Sequence, residues 1–264
     1  MHSVLFSIGP FHVYGYGFMI AIGVICAFAI GCALAKRSGL DDDALFSMGL
    51  VGIVGGIIGA KLLYYIVELP AILENPSILL NFGEGFVVYG GLIAGFLSPL
   101  LYTRIKKLSF LPYLDCAVPG VAFAQGCGRI GCFLAGCCYG EETTAWYGVT
   151  FPADSLAPAG VSLIPTQLIS SAGDFLFALI LFLLQRKLYK NKTAESGAES
   201  DVKSGVVTAV YLMLYAVGRF AIEFLRDDPR GSVGVLSTSQ FIAIFMFAAG
   251  AVLCAKSLQK KAKN

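Results

Sequence analysis

The sequence predicts an all-α polytopic membrane protein with about seven transmembrane helices, its N-terminus outside and its C-terminus in the cytoplasm. Of the 264 residues, 57% are hydrophobic and 14% are charged, whereas ordinary soluble domains contain about 25% charged residues. The apolar residues form long runs with short polar segments between them. Basic residues are concentrated in alternate segments. The first two observations predict membrane spans, and the third predicts their orientation.

Each apolar run is long enough to cross the hydrocarbon core of a bilayer. The runs cover residues 14–35, 45–67, 86–103, 111–134, 168–184, 205–226 and 236–258. No Lys or Arg precedes Lys36, so the first run is predicted to be a retained helix rather than a cleavable signal peptide. The runs use more than half of the chain and leave only short segments between them, so residues 1–264 are predicted to form a single integral membrane domain.

The positive-inside rule fixes the predicted orientation. Fourteen of the 19 basic residues lie at the end of the first, third, fifth or seventh run or in the segment that follows it. They are Lys36, Arg37, Arg104, Lys106, Lys107, Arg186, Lys187, Lys190, Lys192, Lys203, Lys256, Lys260, Lys261 and Lys263. These segments are therefore predicted to be cytoplasmic, and polar residues 186–203 to be a linker on that side. The net charge of only +2 argues against a nucleic-acid partner.

Three basic residues, Lys61, Arg129 and Arg219, lie inside apolar runs, where a charge costs several kcal/mol. Counted from the predicted span ends, all three lie roughly 7–11 Å below the outer surface. Glu223 and Arg226 follow Arg219 at i+4 and i+7, which predicts an acid and two bases on one helical face. The charges are expected to converge in the outer leaflet.

Buried charges of this kind are either structural ion pairs or parts of a binding site. Arg226 suits a snorkelling side chain that reaches the interface. Two guanidinium groups, Arg129 and Arg219, with one carboxylate, Glu223, leave positive charge for an anionic ligand. A phospholipid phosphate is the anion expected at this depth.

Glycines accompany these charges. Those of the second run are predicted to let helices pack closely, and Gly90 and Gly91 follow in the third. Gly128 and Gly131 flank Arg129 in QGCGRIGCFLAGCCYG. Four glycines within eleven residues of this segment predict a broken or tightly packed helix end whose backbone can approach a ligand. Tyr14 and Tyr89 lie near outer span ends, where an aromatic belt is the alternative to a role in the site.

Four of the eight cysteines, Cys127, Cys132, Cys137 and Cys138, fall close together on the predicted outer side. They form either a disulfide between members at least five residues apart, which is favoured, or a cluster of free thiols. Their spacing of 5, 5 and 1 residues fits no usual zinc motif. No metal or cofactor is predicted. A membrane thiol-redox protein remains one alternative, and a transporter another, although a transporter would place charges near the midplane.

Six motifs carry a resemblance to a known family. They are HVYGYGFMIAIG, GIIGAKLLYY, YGGLIAG, GRIGCFLAGCCYG, PTQL and GRFAIEFLR. In order and spacing, they resemble those of the bacterial prolipoprotein diacylglyceryl transferase family over nearly the whole chain.

The resemblance implies a multi-pass enzyme of the bacterial inner (plasma) membrane. It would transfer the diacylglyceryl group of phosphatidylglycerol to the lipobox cysteine of exported prolipoproteins, without a cofactor, giving a thioether and glycerol phosphate. By position, Arg129 matches the signature arginine of the family that engages the phosphatidylglycerol head group, and Arg219 matches its second essential arginine. Glu223 matches the acid near that arginine, and Tyr14 matches the tyrosine of the first-span motif. Tyr89 is the remaining candidate catalytic residue. The candidate substrate-binding residues are Arg129, Lys61, Gly90, Gly91, Gly128 and Gly131.

Three positions depart from the family pattern. Tyr89 stands where the family's HGG motif has histidine, Cys132 where its signature has asparagine, and Cys137 where it has glutamate. Tyrosine, with an ordinary pKa near 10, is a poor base at neutral pH. A related lipid-dependent transferase with another acceptor is therefore an alternative function.

Overall fold

The computed structural model describes residues 4–9, 11–81, 83–189, 204–228 and 231–259. Its helices follow the predicted apolar runs. They are α1 (Gly15–Arg37), α2 (Asp42–Val67), a short α3 (Leu69–Glu74), α4 (Val88–Ile105), α5 (Phe110–Ala135), α6 (Thr166–Leu188), α7 (Val206–Ile222) and α8 (Thr238–Gln259). Helix α6 includes the first residues of the predicted linker, and residues 190–203 lie outside the described part.

Within the described residues, six helices are long and apolar enough to cross a membrane. The six include every long helix except α5, which contains Asp115, Gln125 and Arg129 among its apolar residues. The membrane class is thus supported, whereas the count of seven spans is not confirmed by length and composition.

The all-α prediction omitted three small antiparallel strand pairs that occur within the described residues. They pair β1 (Val4–Ile8) with β2 (Phe11–Tyr14), β3 (Val149–Thr150) with β4 (Ser162–Leu163), and β5 (Ser232–Val233) with β6 (Leu236–Ser237). The turns of the first and third contain Gly9 and Gly234, both with positive φ, a conformation that glycine adopts without strain. Strands of this length do not produce a long apolar run, so a prediction based on such runs does not detect them.

The chain forms two compact units. One contains the described residues up to Leu40 and from Leu114 onward, and the other consists of Asp41–Tyr113. In the second unit, α2 packs against α4 through glycines: a Cβ atom at Gly59 would collide with Ala94 and the Gly90 carbonyl. The predicted close packing of this run is confirmed, and it depends on small residues in both helices.

The core of the first unit lies among α5, α6 and α7. Val118 and Ala122 of α5 pack with Ala178 and Leu181 of α6 and with Val207 of α7. Helix α1 lies against α5, since a Cβ atom at Gly120 would stand 2.5 Å from the Ala27 carbonyl oxygen. Helix α5 is thereby fixed on more than one side, which positions Arg129 near its C-terminal end.

A fully buried carboxylate, Asp115 of α5, holds the beginning of α7. It accepts hydrogen bonds from the backbone N–H groups of Gly205 (2.7 Å) and Thr208 (2.8 Å). The hydroxyl groups of Thr208 (2.6 Å) and Tyr189 (3.0 Å) donate to it as well. Asp115 therefore acts as an N-cap supplied from a neighbouring helix, in which a carboxylate satisfies the free N–H groups of a helix start.

We expect Asp115→Ala to destabilise the protein by roughly 3 kcal/mol or more, because several buried donors lose their acceptor at about 1 kcal/mol or more each. The measurement is thermal or denaturant unfolding of the purified protein in detergent. Asp154→Ala, at an exposed loop position, is the control and should change stability by about 0.5 kcal/mol or less. Equal stability of the two variants would contradict the capping role.

Candidate functional site

A cavity of about 280 Å³ lies among α5, α6 and α7 in the first unit. Its polar lining comprises Arg129 of α5, Ser170 and Asp174 of α6, and Tyr215 and Arg219 of α7. The rest of the lining is apolar or glycine. The two arginines that the sequence analysis selected thus share one cavity, although they lie on different helices.

Arg219 is held by partners on two sides. Its Nη1 lies 3.0 Å from Oε2 of Glu223, and the side chains are 15% and 2% exposed. Its Nη2 donates a hydrogen bond of 2.7 Å to the Ser239 hydroxyl of α8. A guanidinium fixed in this way is pre-oriented for a ligand, since little side-chain entropy remains to be lost on binding.

Asp174 is a member of the site that the sequence analysis missed. The residue is 8% exposed, lines the cavity and interacts electrostatically with Arg129. It is the one acidic residue of α6, and a charged residue within a membrane span is costly. The rule that selected Arg129 would have selected Asp174 too, had it been applied to acids as well as to bases.

Arg226 does not lie on the helical face where the sequence analysis predicted it. Helix α7 ends at Ile222, a 3-10 turn covers Glu223–Leu225, and Arg226 has an extended backbone. The helical face predicted to continue to i+7 is therefore wrong. The Arg226 guanidinium makes a two-pronged ion pair with Asp228, Nε to Oδ1 at 2.8 Å and Nη2 to Oδ2 at 2.7 Å. This partner compensates the charge of Arg226 within the loop.

The glycines around Arg129 belong to a continuous helix. Helix α5 runs unbroken to Ala135, so of the two predicted alternatives the structure has the packed helix and not the broken one. A Cβ atom at Gly131 would stand 3.1 Å from the Tyr16 ring, whereas one at Gly128 would meet nothing within 4 Å. Tyr14, at the N-cap of α1, is 56% exposed.

In the second unit, Lys61 is held by the chain segment before α4. Its Nζ donates to the carbonyl oxygens of Asn81 (2.6 Å) and Glu84 (2.5 Å). It also lies 5.1 Å from each of three ring centroids, those of Tyr64, Tyr65 and Phe86. Carbonyl and ring contacts of this kind stabilise a half-buried ammonium without a ligand, so a role for Lys61 in substrate binding stays a prediction.

Tyr89, Gly90 and Gly91 begin α4 in the same unit. Tyr89 is 50% exposed. A Cβ atom at Gly90 would collide with the Gly59 carbonyl oxygen, and one at Gly91 would stand 3.3 Å from that of Gly56. Close packing of α2 and α4 explains why both positions are glycine. Their contact with substrate stays a prediction.

Three of the four cysteines between residues 127 and 138 come together in the first unit. The sulfur atoms of Cys132, Cys137 and Cys138 all lie within 4.8 Å of one another, and all are free thiols. Hydrogen bonds with the other two thiols, together with the positive charges of Arg226 and Arg129, lower the pKa of the Cys138 thiol. Cys127 is buried farther back in α5 and is not part of this group.

Comparison with known proteins agrees with the motifs. A family model described as prolipoprotein diacylglyceryl transferase matches residues 3–256. A phosphatidylglycerol–prolipoprotein diacylglyceryl transferase 2 of Clostridium perfringens (strain 13 / Type A) is 48% identical over 254 residues, 96% of this chain and 94% of the relative. The corresponding transferase of Clostridium tetani is 48% identical over 250 residues, 95% of each chain. That of Clostridioides difficile is 32% identical over 265 residues, 100% of this chain and 98% of the relative.

Proposed function

This chain belongs to the prolipoprotein diacylglyceryl transferase family, and we propose that it transfers the diacylglyceryl group of phosphatidylglycerol to the lipobox cysteine thiol of a prolipoprotein. The products are a thioether-linked lipid and glycerol phosphate. The observation that carries the proposal is the cavity that Arg129 and Arg219 share. Its arginines suit a phosphate, and its apolar lining suits the adjoining lipid.

Arg129 and Arg219 bind the phosphodiester of the donor. A guanidinium presents two parallel N–H groups to phosphate oxygens, which gives strength and a fixed orientation. Glu223 and Ser239 engage the two terminal nitrogens of Arg219, and this supports its pre-orientation. In the displacement, the two positive charges stabilise the negative charge that develops on the leaving phosphate.

The reaction is a displacement at a glyceryl carbon. The thiol sulfur forms the new S–C bond while the C–O bond between that carbon and the phosphate breaks. The bonding electron pair leaves with glycerol phosphate, and the thiol proton must pass to a base. Thiolate rather than thiol is the nucleophile, so the site needs a proton acceptor within reach of the cavity.

Asp174 is the carboxylate that we assign to this role. Glu223 is engaged by Arg219 across 3.0 Å, whereas Asp174 lines the cavity and makes no such close ion pair among the residues that the structure describes. A bound phosphodiester next to Asp174 favours proton uptake by this carboxylate, because two adjacent anions repel each other. Donor binding would thereby prepare Asp174 to receive the thiol proton.

The other predicted residues are proposed as further contacts. Tyr14 and Tyr89 would face the substrates at the outer surface, and the glycines would let lipid approach the backbone. Lys61 would add positive charge in the second unit. The proposed substrate-binding residues beyond the arginines are Lys61, Gly90, Gly91, Gly128 and Gly131.

The proposed location is the bacterial inner membrane, with seven spans in a single membrane domain and the cavity in the outer-leaflet half. The N-terminus would be outside and the C-terminus cytoplasmic. The alternation of basic loops supports this orientation. Glu141, Glu142 and Asp154 lie in the segment proposed to be outside, close to where an exported substrate would arrive.

Single cysteines at Ser77 and Asp154, placed in a variant without native cysteines, are expected to react with an impermeant maleimide on intact cells. A cysteine at Lys106 should react only after lysis. All three positions are exposed, so reactivity reports the side of the membrane. Labelling at Lys106 before lysis would overturn the orientation.

A direct assay tests the proposed activity. Purified protein is mixed with phosphatidylglycerol and a lipobox peptide, and mass spectrometry follows the peptide for a diacylglyceryl adduct and the lipid for release of glycerol phosphate. A matched peptide with serine in place of the lipobox cysteine should remain unmodified. Glycerol phosphate release without any peptide adduct would indicate a different acceptor, and the absence of both products would refute the activity.

A further inference from the structure

The loop after α5 brings three thiols together beside the candidate site. Cys132 lies in the last turns of α5, and Cys137 and Cys138 follow the helix end. Two residues with positive φ, Gly136 (75°) and Cys138 (62°), turn the chain back. As a result, the three sulfur atoms lie within 4.8 Å of one another. We propose that Cys132, Cys137 and Cys138 form a binding site for one thiophilic cation with a filled d shell, such as Zn²⁺.

The distances suit such an ion. Zn–S bonds are about 2.3 Å long, so the sulfur atoms of a tetrahedral site lie about 3.8 Å apart. Each sulfur–sulfur distance here exceeds this tetrahedral distance by at most about 1 Å. Rotation of the cysteine side chains is enough to remove the difference. Three thiolates leave the fourth position of a tetrahedral ion for an exchangeable ligand, as in zinc sites that are not purely structural. Thiolates also favour such soft cations over Mg²⁺ or Ca²⁺.

The backbone that carries the thiols is fixed by neighbouring side chains. The Cys138 carbonyl oxygen accepts a hydrogen bond of 2.7 Å from the Thr166 hydroxyl, and that of Cys137 accepts one of 2.8 Å from Nε2 of Gln167. Both donors stand at the start of α6 and are almost fully buried. The loop is therefore ordered before an ion binds, and a pre-organised site binds more tightly.

The charge balance also fits. Three thiolates around one divalent cation carry a net charge of −1. Arg226 and Arg129 lie close enough to act electrostatically on Cys138, and a positive neighbour offsets the remaining negative charge. The spacing of the cysteines along the sequence gave no zinc motif because the turn at Gly136, and not a regular spacing, brings them together.

The test uses the purified, reduced, full-length protein in detergent and Cd²⁺ as a spectroscopic probe. We expect a thiolate-to-cadmium absorption band that saturates at one ion per chain, and competition by Zn²⁺. Cys137→Ser and, separately, Cys132→Ser should weaken Cd²⁺ binding by about 10-fold or more, the loss that even an outer partner of a metal ligand causes. Cys127→Ser and Cys254→Ser are the matched controls and should keep the band.

Three outcomes would overturn the proposal. One is the absence of the band in the reduced wild-type protein. Another is an unchanged band in both Cys137→Ser and Cys132→Ser, with helix content checked by circular dichroism. The third is a disulfide between two of the three cysteines in protein alkylated before lysis, because that bond would consume two ligands. The readout is independent of transferase activity, so it does not depend on the proposed function.

Discussion

Arg219→Ala is expected to reduce diacylglyceryl transfer by roughly 30-fold to several thousand-fold. The change removes a guanidinium that lines the cavity and that lies within 3.0 Å of the nearly buried Glu223 carboxylate. Truncating one member of a buried charge pair costs about 2–5 kcal/mol, which gives this range at about 1.4 kcal/mol per tenfold change. The measurement is initial rate with phosphatidylglycerol and a lipobox peptide. Arg129→Ala should cause a loss of the same order, because both arginines would contact one phosphate.

Substitution of either arginine by lysine tests whether positive charge alone is sufficient or the planar guanidinium is needed. Arg219→Lys keeps the positive charge but loses the planar fork that matches phosphate oxygens, so activity should be intermediate between wild type and Arg219→Ala. Arg104→Ala is the control, since Arg104 is exposed near the end of α4 and should keep full activity. Wild-type rates in both Arg129→Ala and Arg219→Ala would remove the donor phosphate from this cavity.

The positions of the helices could be predicted from the sequence because a bilayer demands long apolar runs. All seven predicted runs coincide with long helices. The residues at which the helices end were less predictable. Helix α7 stops at Ile222, and the chain turns so that Arg226 meets Asp228. An i, i+4, i+7 pattern does not reveal that turn, because the partner that stabilises it lies beyond the helix.

The residues of the candidate site could also be predicted in part, whereas their arrangement could not. Arg129, Arg219 and Glu223 could be found from the cost of a charge in an apolar run. That Arg129 and Arg219 share a cavity depends on how α5, α6 and α7 pack, which no local pattern contains. The thiol cluster shows that proximity in sequence can also mislead. Cys127 is close in sequence to the other three cysteines but does not belong to their group. Its side chain faces α1, where a Cβ atom at Gly23 would stand 3.0 Å from the Cys127 Cβ atom.

Asp174→Asn is expected to reduce the rate of the chemical step by about 100-fold to 10,000-fold, the usual contribution of a positioned proton acceptor. Asparagine has nearly the same size as aspartate but cannot take up the thiol proton. Binding of phosphatidylglycerol should be unchanged or tighter, because the substitution removes a negative charge from a cavity that receives a phosphate. The signature is therefore a lower kcat without a higher KM for the lipid.

That division between kcat and KM distinguishes proton transfer from a merely structural role. If Asp174 only oriented Arg129, with which it interacts, asparagine would weaken phosphate binding and raise KM while kcat stayed near wild type. Asp174→Glu should recover part of the rate, since it restores a carboxylate at the cost of a longer side chain. Asp154→Asn, in an exposed loop, is the control and should behave like wild type. A wild-type kcat in Asp174→Asn would refute the assignment and leave the thiol proton to a group outside this cavity.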